Sequence, residues 1–375
     1  MASPTYVSRR DFLKLSAGSV AALGLSLLRV PGFVKLLQAA VEEVPVIWLQ
    51  AGTCTGCSVS VLNSLSPTIQ EVLVDQVLPG KHLSLGYHAT IMAAAGDLAM
   101  EAMEQVAVNK GGFVLVAEGA FATKDEGVYC EIGERAGHGI TALEHLTRLG
   151  ADAMAVLALG TCAAYGGIPA APPNPTGCQS VGQVFAEHGI TTPVINLPGC
   201  PPHPDWFVGT VATVLIGGLE GVEVDDLGRP VAFYGPLIHD NCARRGHFDA
   251  GRFAKKFSDP YCLYELGCKG PVTHADCSIR LWNGGNNWCV GCGHPCIGCV
   301  EPDFPQEGTL YELPSLHTLT PPTTYAPAQE EEASVSPAVA GTVGAAAGLA
   351  VGVAGAAAVS ALRGRGEEET QGGAK

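Results

Sequence analysis

The sequence predicts an α/β fold, in which a parallel sheet is followed by a mostly irregular, cysteine-rich region. Short apolar runs alternate with helical patterns through residues 42–225, and this periodicity is lost over residues 226–313. Strand–helix alternation is typical of a parallel sheet with helices on both faces. More than half of the 14 cysteines lie in the second region, which is too small to build an adequate apolar core. We therefore expect something inorganic to hold that region together.

The individual strands and helices are predicted from local patterning. Continuous, β-branched runs that are bounded by Gly or Pro predict buried strands. These are Val44–Gln50, Phe113–Ala117, Ala153–Leu159 and Val194–Leu197. Apolar residues at helical spacing predict the helices between them, which are His88–Asn109, Gly139–Leu149 and Val181–His188.

The composition excludes several classes of function. Hydrophobic residues make up 47% of the chain and charged residues 15%, so the chain is neither disordered nor collagen-like. With 21 Lys and Arg against 36 Asp and Glu, the formal charge is −15, and a nucleic-acid backbone is not expected as a ligand. The sequence also contains no Gly-x-Gly-x-x-Gly fingerprint and no phosphate-binding loop.

Cysteines follow three of the four predicted strands, at the point where each strand ends. Cys54 and Cys57 come after the first, Cys162 after the third and Cys200 after the fourth. The carboxyl ends of parallel strands share one edge, where ligands collect, and four thiolates there can bind one [4Fe–4S] cluster. The alternatives are a zinc site and two disulfides, Cys54–Cys57 with Cys162–Cys200. Gly/Pro-rich flanks disfavour the disulfides, and zinc does not explain the downstream cysteines.

Six motifs containing cysteine run through residues 44–310. In chain order they are Cys54-Thr-Gly-Cys57, Gly160-Thr-Cys-Ala, Pro198-Gly-Cys-Pro-Pro, Ile238-His-Asp-Asn-Cys, Tyr261-Cys-Leu-Tyr-Glu-Leu-Gly-Cys-Lys-Gly-Pro and Gly293-His-Pro-Cys-Ile-Gly-Cys. Together they resemble the small, electron-transfer subunit of [NiFe] hydrogenases. The resemblance implies a flavodoxin-like domain over residues 42–225, an iron–sulfur domain over residues 226–313 and three clusters in a row.

The resemblance also implies the ligands of each cluster. The proximal [4Fe–4S] cluster maps onto Cys54, Cys57, Cys162 and Cys200. The distal [4Fe–4S] cluster maps onto His239, Cys242, Cys262 and Cys268. The medial cluster maps onto Cys277, Cys296 and Cys299. A neutral imidazole in place of an anionic thiolate makes the distal cluster less negative, which suits an exit to an outside acceptor.

The medial motif departs from the family pattern at Cys289. Many relatives have proline at this position, and their medial cluster is [3Fe–4S]. Because Cys289 offers a fourth thiolate, we predict a medial [4Fe–4S] cluster on Cys277, Cys289, Cys296 and Cys299, with a potential closer to those of its neighbours. Cys292 is the alternative fourth ligand. The other alternative is that both are spare thiols beside a three-iron cluster.

Several other positions bear on the sites. Val59 stands where many relatives have a glutamate, so any role of that carboxylate is in doubt. Gly56 and Gly167 stand where oxygen-tolerant relatives carry two extra cysteines, so an ordinary proximal cubane is expected. The residues expected to be packed or structural, and not ligands, are Cys130, Cys178, His88, His203 and His247.

Residues 1–39 are expected to be an export signal. Paired arginines in Ser8-Arg-Arg-Asp-Phe-Leu-Lys14 precede the apolar stretch Leu15–Leu28, which is typical of a twin-arginine signal. The alternative is a membrane anchor, but this stretch of 14 residues is short of the roughly 20 that a span needs. Twin-arginine export carries folded proteins, which suits a cofactor inserted beforehand.

Residues 338–362 are expected to form a transmembrane anchor. They follow a linker over residues 314–337 and contain 25 uncharged residues, enough to span a bilayer. Arg363 and Arg365 begin a tail over residues 363–375, and these arginines place the C-terminus in the cytoplasm. The protein would then lie on the outer, periplasmic face of the cytoplasmic membrane. A flexible Ala/Gly tail is the alternative.

The family's large subunit holds nickel and iron with paired Cys-x-x-Cys sets, one at each end of its chain, and this chain does not show that arrangement. We therefore expect hydrogen to be split on a separate large subunit, docked near Cys54 and Cys57, in a dimer of heterodimers. Electrons would leave near His239 to a membrane cytochrome b or another quinone-linked acceptor. A complex I-like, quinone-linked subunit is disfavoured because such subunits lack residues 239–299. An exported disulfide-bonded binding protein would lack the brown colour of clusters.

Overall fold

A computed structural model describes residues 42–65, 68, 81–135, 137–305, 310–314 and 316. Its strands are β1 (Glu42–Gln50), β2 (Lys81–His88), β3 (Val114–Glu118), β4 (Phe121–Ala122), β5 (Glu131–Arg135), β6 (His138–Thr141), β7 (Ala155–Leu159), β8 (Cys178–Gln179) and β9 (Val194–Leu197). Five of them form a parallel sheet in the order β2-β1-β3-β7-β9. Numbered among themselves these strands read 2-1-3-4-5, the flavodoxin-like order. The predicted α/β fold with a parallel sheet is confirmed.

Helices connect these strands and then become short. They are α1 (Gly56–Leu62), α2 (Asp97–Ala107), α3 (Ala142–Asp152), α4 (Thr161–Tyr165), α5 (Gly167–Ala170), α6 (Val181–His188), α7 (Pro204–Gly217), α8 (Val231–Tyr234), α9 (Arg245–Asp249) and α10 (Cys277–Arg280). Single 3₁₀ turns lie at Lys124–Gly127, Leu219–Gly221, Ile238–Asn241, Tyr264–Leu266 and Gly270–Val272. After α7 the described chain is therefore held by turns and short helical segments, as its weak periodicity predicts.

One face of the sheet is covered by α2, α3 and α6. Met103, Leu146 and Val184, one from each helix, are buried there against the sheet. The start of α6 is fixed by a capping box, in which the hydroxyl of Ser180 accepts a hydrogen bond from the N–H of Gln183 at 3.2 Å. These helices return the chain to the sheet so that the next strand runs parallel to the last.

The opposite face is covered by α1, α7 and the cysteine-rich region. Trp48 from β1, Trp206 from α7, Tyr234 from α8 and Trp288 from the cysteine-rich region belong to one buried group of side chains, which we call the shared apolar cluster. The indole N–H of Trp206 donates to the buried carboxylate of Asp276 at 2.8 Å. The cysteine-rich region thus packs its apolar side chains onto the sheet and does not rely on a core of its own.

The predicted elements differ from the structure around β2 and at the start of α3. The helix predicted from Gly139 begins at Ala142, because His138–Thr141 form β6. The predicted bounds of β9 and α6 agree with those observed, whereas the helix predicted from His88 begins at Asp97. His88 is the last residue of β2, a strand at the edge of the sheet that was not predicted. Gly96, with φ +56°, ends the turns that follow β2 and allows α2 to start.

The predicted export signal over residues 1–39 and the predicted anchor over residues 338–362 lie outside the described residues. Among the helices that are described, none is both long enough and apolar enough to cross a membrane.

Candidate functional site

The four cysteines that follow the strands lie together at the carboxyl edge of the sheet. Cys57 is in the first turn of α1, Cys162 is in α4, and Cys200 lies three residues after the end of β9. Burial raises the pKa of the Cys57 thiol, and the nearby charges of Glu118, Cys162, Cys54 and Cys200 raise it further. Four thiols that influence each other in this way share one small volume. A positive metal centre would offset this burial and repulsion.

Two glycines leave room beside these thiols. A Cβ at Gly160, where φ is +89°, would lie 2.4 Å from the sulfur of Cys57. A Cβ at Gly167, where φ is +52°, would lie 2.9 Å from the sulfur of Cys162. Both positions suit only glycine, because the backbone is left-handed and the sulfur is too close for a side chain. The space and the donor set therefore fit a [4Fe–4S] cluster.

A buried carboxylate, Glu118, stands beside this group and was not predicted from the sequence. It is the last residue of β3 and is fully buried. It accepts hydrogen bonds from the indole N–H of Trp48 at 2.9 Å, from the hydroxyl of Thr53 at 3.1 Å and from the hydroxyl of Ser58 at 2.5 Å. Because Thr53 and Ser58 flank the Cys54–Cys57 loop, Glu118 orients that loop. An acidic residue that ends an apolar strand is the signal that could have revealed it.

The histidines expected to be structural all make local contacts. The Nε2 atom of His88 lies 3.1 Å from the Ser58 hydroxyl, and burial lowers the pKa of this histidine. The Nδ1 atom of His203 accepts the N–H of Asp205 at 3.1 Å and so caps α7. The ring of His247 packs edge-on against Tyr261, with centroids 5.5 Å apart.

A second group of ligand-type side chains lines a small cavity in the cysteine-rich region. The candidate ligands on its wall are His239, Cys242, Cys262 and Cys268. The backbone N–H of Arg244 donates to the sulfur of Cys242 at 3.4 Å. The structure thus brings together the four side chains that were predicted as the distal set.

His239 has the character of a metal ligand. Its Nε2 atom is buried, and no described residue offers it a hydrogen-bond partner. Burial, together with the charge of Arg245, lowers the pKa of His239 to about 4. The ring is therefore neutral at pH 7 and can donate a lone pair to iron. A buried and unsatisfied imidazole beside three thiols fits a cluster with one histidine ligand.

The third group lies between the other two and contains Cys277, Cys296 and Cys299. Burial raises the pKa of Cys277, and the charges of Cys299 and Cys289 raise it further. Burial also raises the pKa of Cys299 to about 12, with a further contribution from Cys289. Cys289 therefore lies close to two members of the predicted medial set and also to Cys268 of the distal set, although it reaches the surface.

Cys292 differs from Cys289 in its surroundings. Its charge affects Cys289, but it is not among the groups that shift Cys277, Cys296 or Cys299. Cys292 is exposed, and its N–H donates to the carbonyl of Trp288 at 2.9 Å. In the part of the chain that is described, no three His, Cys, Asp or Glu side chains surround a site for a single metal ion.

Hydrogen bonds connect the three groups of cysteines. The hydroxyl of Thr161, next to Cys162, accepts the N–H of Gly199 at 2.8 Å and donates to the carbonyl of Cys299. This one hydroxyl connects the first group with the third. The N–H of Cys296 donates to the sulfur of Cys268 at 3.3 Å, which connects the third group with the second.

Two cysteines stand apart from these groups. Cys178 is buried in a small apolar cluster behind the sheet edge, and Cys130 packs against the same cluster. Cys178 belongs to β8, which pairs with β4, and its sulfur lies 3.2 Å from the hydroxyl of Thr176. Cys162 of the first group packs against the same cluster, and the expectation that Cys130 and Cys178 are not ligands stays a prediction.

Comparison with known proteins identifies the family. The family model for the C-terminal part of the NiFe/NiFeSe hydrogenase small subunit matches residues 234–312, and the model for the 20 Kd subunit of NADH ubiquinone oxidoreductase matches residues 54–214. The periplasmic [NiFeSe] hydrogenase small subunit of Desulfomicrobium baculatum is 46% identical over 310 residues, covering 80% of this chain and 96% of the relative. The chain belongs to the small subunits of [NiFe] hydrogenases.

Other members agree with this assignment. The quinone-reactive Ni/Fe-hydrogenase small chain of Wolinella succinogenes is 42% identical over 305 residues, covering 80% of this chain and 81% of that one. A crystal structure of the Desulfomicrobium baculatum [NiFeSe] hydrogenase matches with a TM-score of 0.67 and 46% identity, over 72% of this chain and 98% of that chain.

This hydrogenase small subunit is therefore the electron-transfer partner of a [NiFe] hydrogenase large subunit, and it carries iron–sulfur clusters. The complex I-like alternative is disfavoured. The family model of the 20 Kd subunit ends at residue 214, whereas the hydrogenase model covers the region that carries the remaining motifs.

Proposed function

We propose that this small subunit transfers electrons, released from hydrogen on the large subunit, through three clusters to a quinone-linked acceptor in the membrane. The observation that carries the proposal is the set of hydrogen bonds from Thr161 and Cys296, which joins the three ligand groups in one continuous path. Iron–sulfur clusters supply one-electron redox chemistry, and the residues described above set their spacing and surroundings.

The proximal cluster is proposed on Cys54, Cys57, Cys162 and Cys200 as an ordinary cubane. Gly56 and Gly167 support this, because neither can supply an extra ligand, and a Cβ at Gly167 would clash with Cys162. The distal cluster is proposed as a [4Fe–4S] cluster on His239, Cys242, Cys262 and Cys268. The buried, unpaired Nε2 atom of His239 supports the histidine in this set.

The medial cluster is proposed as a [4Fe–4S] cluster on Cys277, Cys289, Cys296 and Cys299. Its support is electrostatic, since Cys289 is close enough to raise the pKa of both Cys277 and Cys299, whereas Cys292 influences Cys289 alone among these cysteines.

Electron paramagnetic resonance tests the medial proposal. The oxidised holoenzyme, purified without oxygen, should show no strong signal from a three-iron cluster. Cys289→Pro should create that signal, whereas Cys292→Ser should leave the spectrum as it is. A strong three-iron signal in the unaltered enzyme would show that the medial proposal is wrong, and its appearance in Cys292→Ser would make Cys292 the ligand.

The large subunit is proposed to dock over the proximal edge of the sheet. Several apolar side chains near Cys57 are exposed in the isolated chain, namely Val59, Leu62, Leu65 and Ile91. Exposed apolar groups that cluster in this way are typical of a protein interface. Val59 would then pack against the partner at a position where many relatives have a carboxylate. The complete enzyme is proposed to be a dimer of heterodimers.

The membrane arrangement rests on the sequence at the two ends. We propose export by the twin-arginine signal in residues 1–39 and anchoring by residues 338–362, with the acceptor, a cytochrome b or similar protein, contacting the chain near His239. The names of the periplasmic and quinone-reactive relatives support this arrangement. Deleting residues 338–375 should release soluble enzyme that still oxidises hydrogen. Retention of the truncated enzyme in the membrane fraction at high salt would contradict the anchor.

The function as a whole is tested with the purified heterodimer. Hydrogen should reduce the brown clusters and bleach their visible absorption, and the same enzyme should reduce a small dye with hydrogen. Thr161→Val should slow reduction of the medial and distal clusters in rapid-mixing experiments, because it removes both hydrogen bonds of the hydroxyl. Thr161→Ser, which keeps the hydroxyl, is the matched control. If the clusters are reduced at equal rates in Thr161→Val and Thr161→Ser, the hydrogen bonds of Thr161 do not support the proposed electron path.

A further inference from the structure

The surface around the distal group carries a charge opposite to that of the whole chain. Residues 244–261 contain five Lys or Arg side chains against two Asp, whereas the full chain has a formal charge of −15. Arg245 is buried and paired with Asp240 and Asp249, which leaves four positive side chains against Asp259. This segment supplies Arg244 to the cavity wall and leads directly into Cys262. The local excess of positive charge therefore lies where electrons are proposed to leave the subunit.

The positive side chains are held against the distal site. The guanidinium of Arg244 donates to the carbonyls of Asp259 and Tyr261, at 3.0 and 2.8 Å. These bonds hold the end of the loop between Arg244 and Asp259 next to the cavity. Lys255 and Lys256 are exposed on this loop. The side chain of Lys255 is 76% exposed and also forms an ion pair with Glu265. These lysines face solvent on a loop whose position is fixed.

Aromatic rings are exposed on the same loop. Phe257 is 56% exposed and Tyr261 is 39% exposed, although aromatic side chains of this size are usually buried. The ring of Phe257 is parallel to that of His294, with centroids 6.3 Å apart, and His294 is 3.1 Å from the hydroxyl of Tyr311. Exposed aromatic rings are enriched at protein interfaces.

We infer that residues 244–261 form a docking surface for the acidic face of an electron-accepting protein, a surface that we call the basic exit surface. This inference rests on the proposed function and adds the charge of the partner. Charge complementarity is the argument, since a basic surface on an acidic protein selects an acidic partner and speeds its approach. A protein is favoured over lipid headgroups because whatever covers the distal site must itself accept electrons.

The test uses the purified heterodimer, hydrogen and two electron acceptors of opposite charge. One is a soluble b-type cytochrome domain with an acidic surface around its haem, and the other is a c-type cytochrome with a basic surface. Each rate is divided by the rate with a small dye, which corrects for cluster content. The acidic cytochrome should be reduced faster than the basic one at about 0.01 M salt, and this advantage should disappear by about 0.5 M.

Lys255→Glu and Lys110→Glu are matched variants. The side chain of Lys110 is 73% exposed and pairs with one carboxylate, Asp152, much as Lys255 pairs with Glu265. Lys110 precedes β3, at the amino end of the sheet and away from the distal site. Lys255→Glu should lower the normalised rate with the acidic cytochrome roughly fivefold at low salt. Lys110→Glu should change it by less than about twofold.

The outcomes separate this inference from the proposed function. If hydrogen reduces neither the dye nor the cytochromes, the proposed function is wrong. If the dye is reduced but Lys255→Glu and Lys110→Glu give the same normalised rates, only the basic exit surface is wrong. The inference is also wrong if Lys255→Glu releases the enzyme from phosphatidylglycerol vesicles while the cytochrome rates stay unchanged, because the surface would then bind lipid.

Discussion

Replacing Gly160 with alanine should remove the proximal cluster. The added Cβ would lie 2.4 Å from the sulfur of Cys57, whereas ordinary contacts begin at 3.4 Å. The sulfur would have to move by about 1 Å, and functional groups generally need to be held within about 0.5 Å of their working geometry. The Cβ would also be in van der Waals contact with the carbonyl oxygen of Gly199, at 3.6 Å.

Gly189→Ala is the matched control for this change. Gly189 has φ +65°, as Gly160 has φ +89°, but no described atom lies within 4 Å of a Cβ at Gly189. At Gly189, where ψ is 29°, alanine costs about 1–2 kcal/mol, whereas Gly160, where ψ is 156°, lies in a region that is essentially restricted to glycine and adds more backbone strain. Only Gly160→Ala adds the collision with Cys57. A difference in cluster content between the two variants therefore measures the collision together with the extra backbone strain at Gly160.

The assay is the iron content of the purified heterodimer, together with the signal of the reduced proximal cluster. Gly160→Ala should lose about four irons per heterodimer, the content of one [4Fe–4S] cluster. Gly189→Ala should keep its iron and show only a lower melting temperature. Full iron content and an unchanged proximal signal in Gly160→Ala would refute the reasoning, since the thiol would then have room that the structure does not provide.

Three further predictions concern buried polar groups. Burial lowers the pKa of His145 to about 4. Below about pH 6.5 the unfolded chain therefore binds a proton at this histidine that the folded chain excludes. The melting temperature should fall from pH 6.5 towards pH 4, and it should fall less steeply in His145→Gln. Glu118→Gln should cost about 2–3 kcal/mol in urea unfolding, because its amide N–H groups would face hydrogen-bond donors. Arg229→Met should cost about 3–5 kcal/mol in the same assay by leaving the carboxylates of Asp225 and Glu301 unpaired, whereas Arg229→Lys, which keeps the charge, should cost less. Equal losses of stability in Arg229→Met and Arg229→Lys would contradict the prediction for Arg229. An unchanged urea midpoint in Glu118→Gln would contradict the prediction for Glu118.

The proximal group could be predicted from the sequence because topology alone places it. In a parallel sheet every strand ends at the same edge, so Cys57, Cys162 and Cys200 meet whatever the details of the loops. Glu118 ends β3 at this edge and was overlooked, because an isolated acidic residue carries no motif. Its role depends on Trp48 and Thr53, which approach it only in the folded chain.

The outermost strand of the sheet, β2, was harder to predict. In β2 the apolar residues Leu83, Leu85 and Tyr87 alternate with polar ones over a short stretch, and residues 89–95 favour a helix by composition. The helix begins only after Gly96, whose left-handed backbone no apolar pattern reveals. Local propensity therefore extended the predicted helix back into the strand.

The distal and medial groups could not be derived from periodicity. Between His239 and Cys299 the described chain contains only single turns and short helices, so sequence spacing does not translate into distance. Cys268 and Cys296 are far apart in the sequence, yet a hydrogen bond joins them at 3.3 Å. For such a region only resemblance to a known family predicts which side chains meet.

The shared apolar cluster contains residues from both parts of the chain, so the two parts are not independent. A family model that describes a different kind of enzyme matches residues 54–214 alone, which suggests a movable module. In this chain, however, Trp48 and Trp206 on the sheet side are buried together with Tyr234 and Trp288 from beyond that boundary. A fragment that ended after α7 would expose this face to water and lose about 1.5–3 kcal/mol for each large apolar side chain left uncovered. The two halves are therefore not interchangeable parts, and any ancestor without the second half needed another cover for the same face.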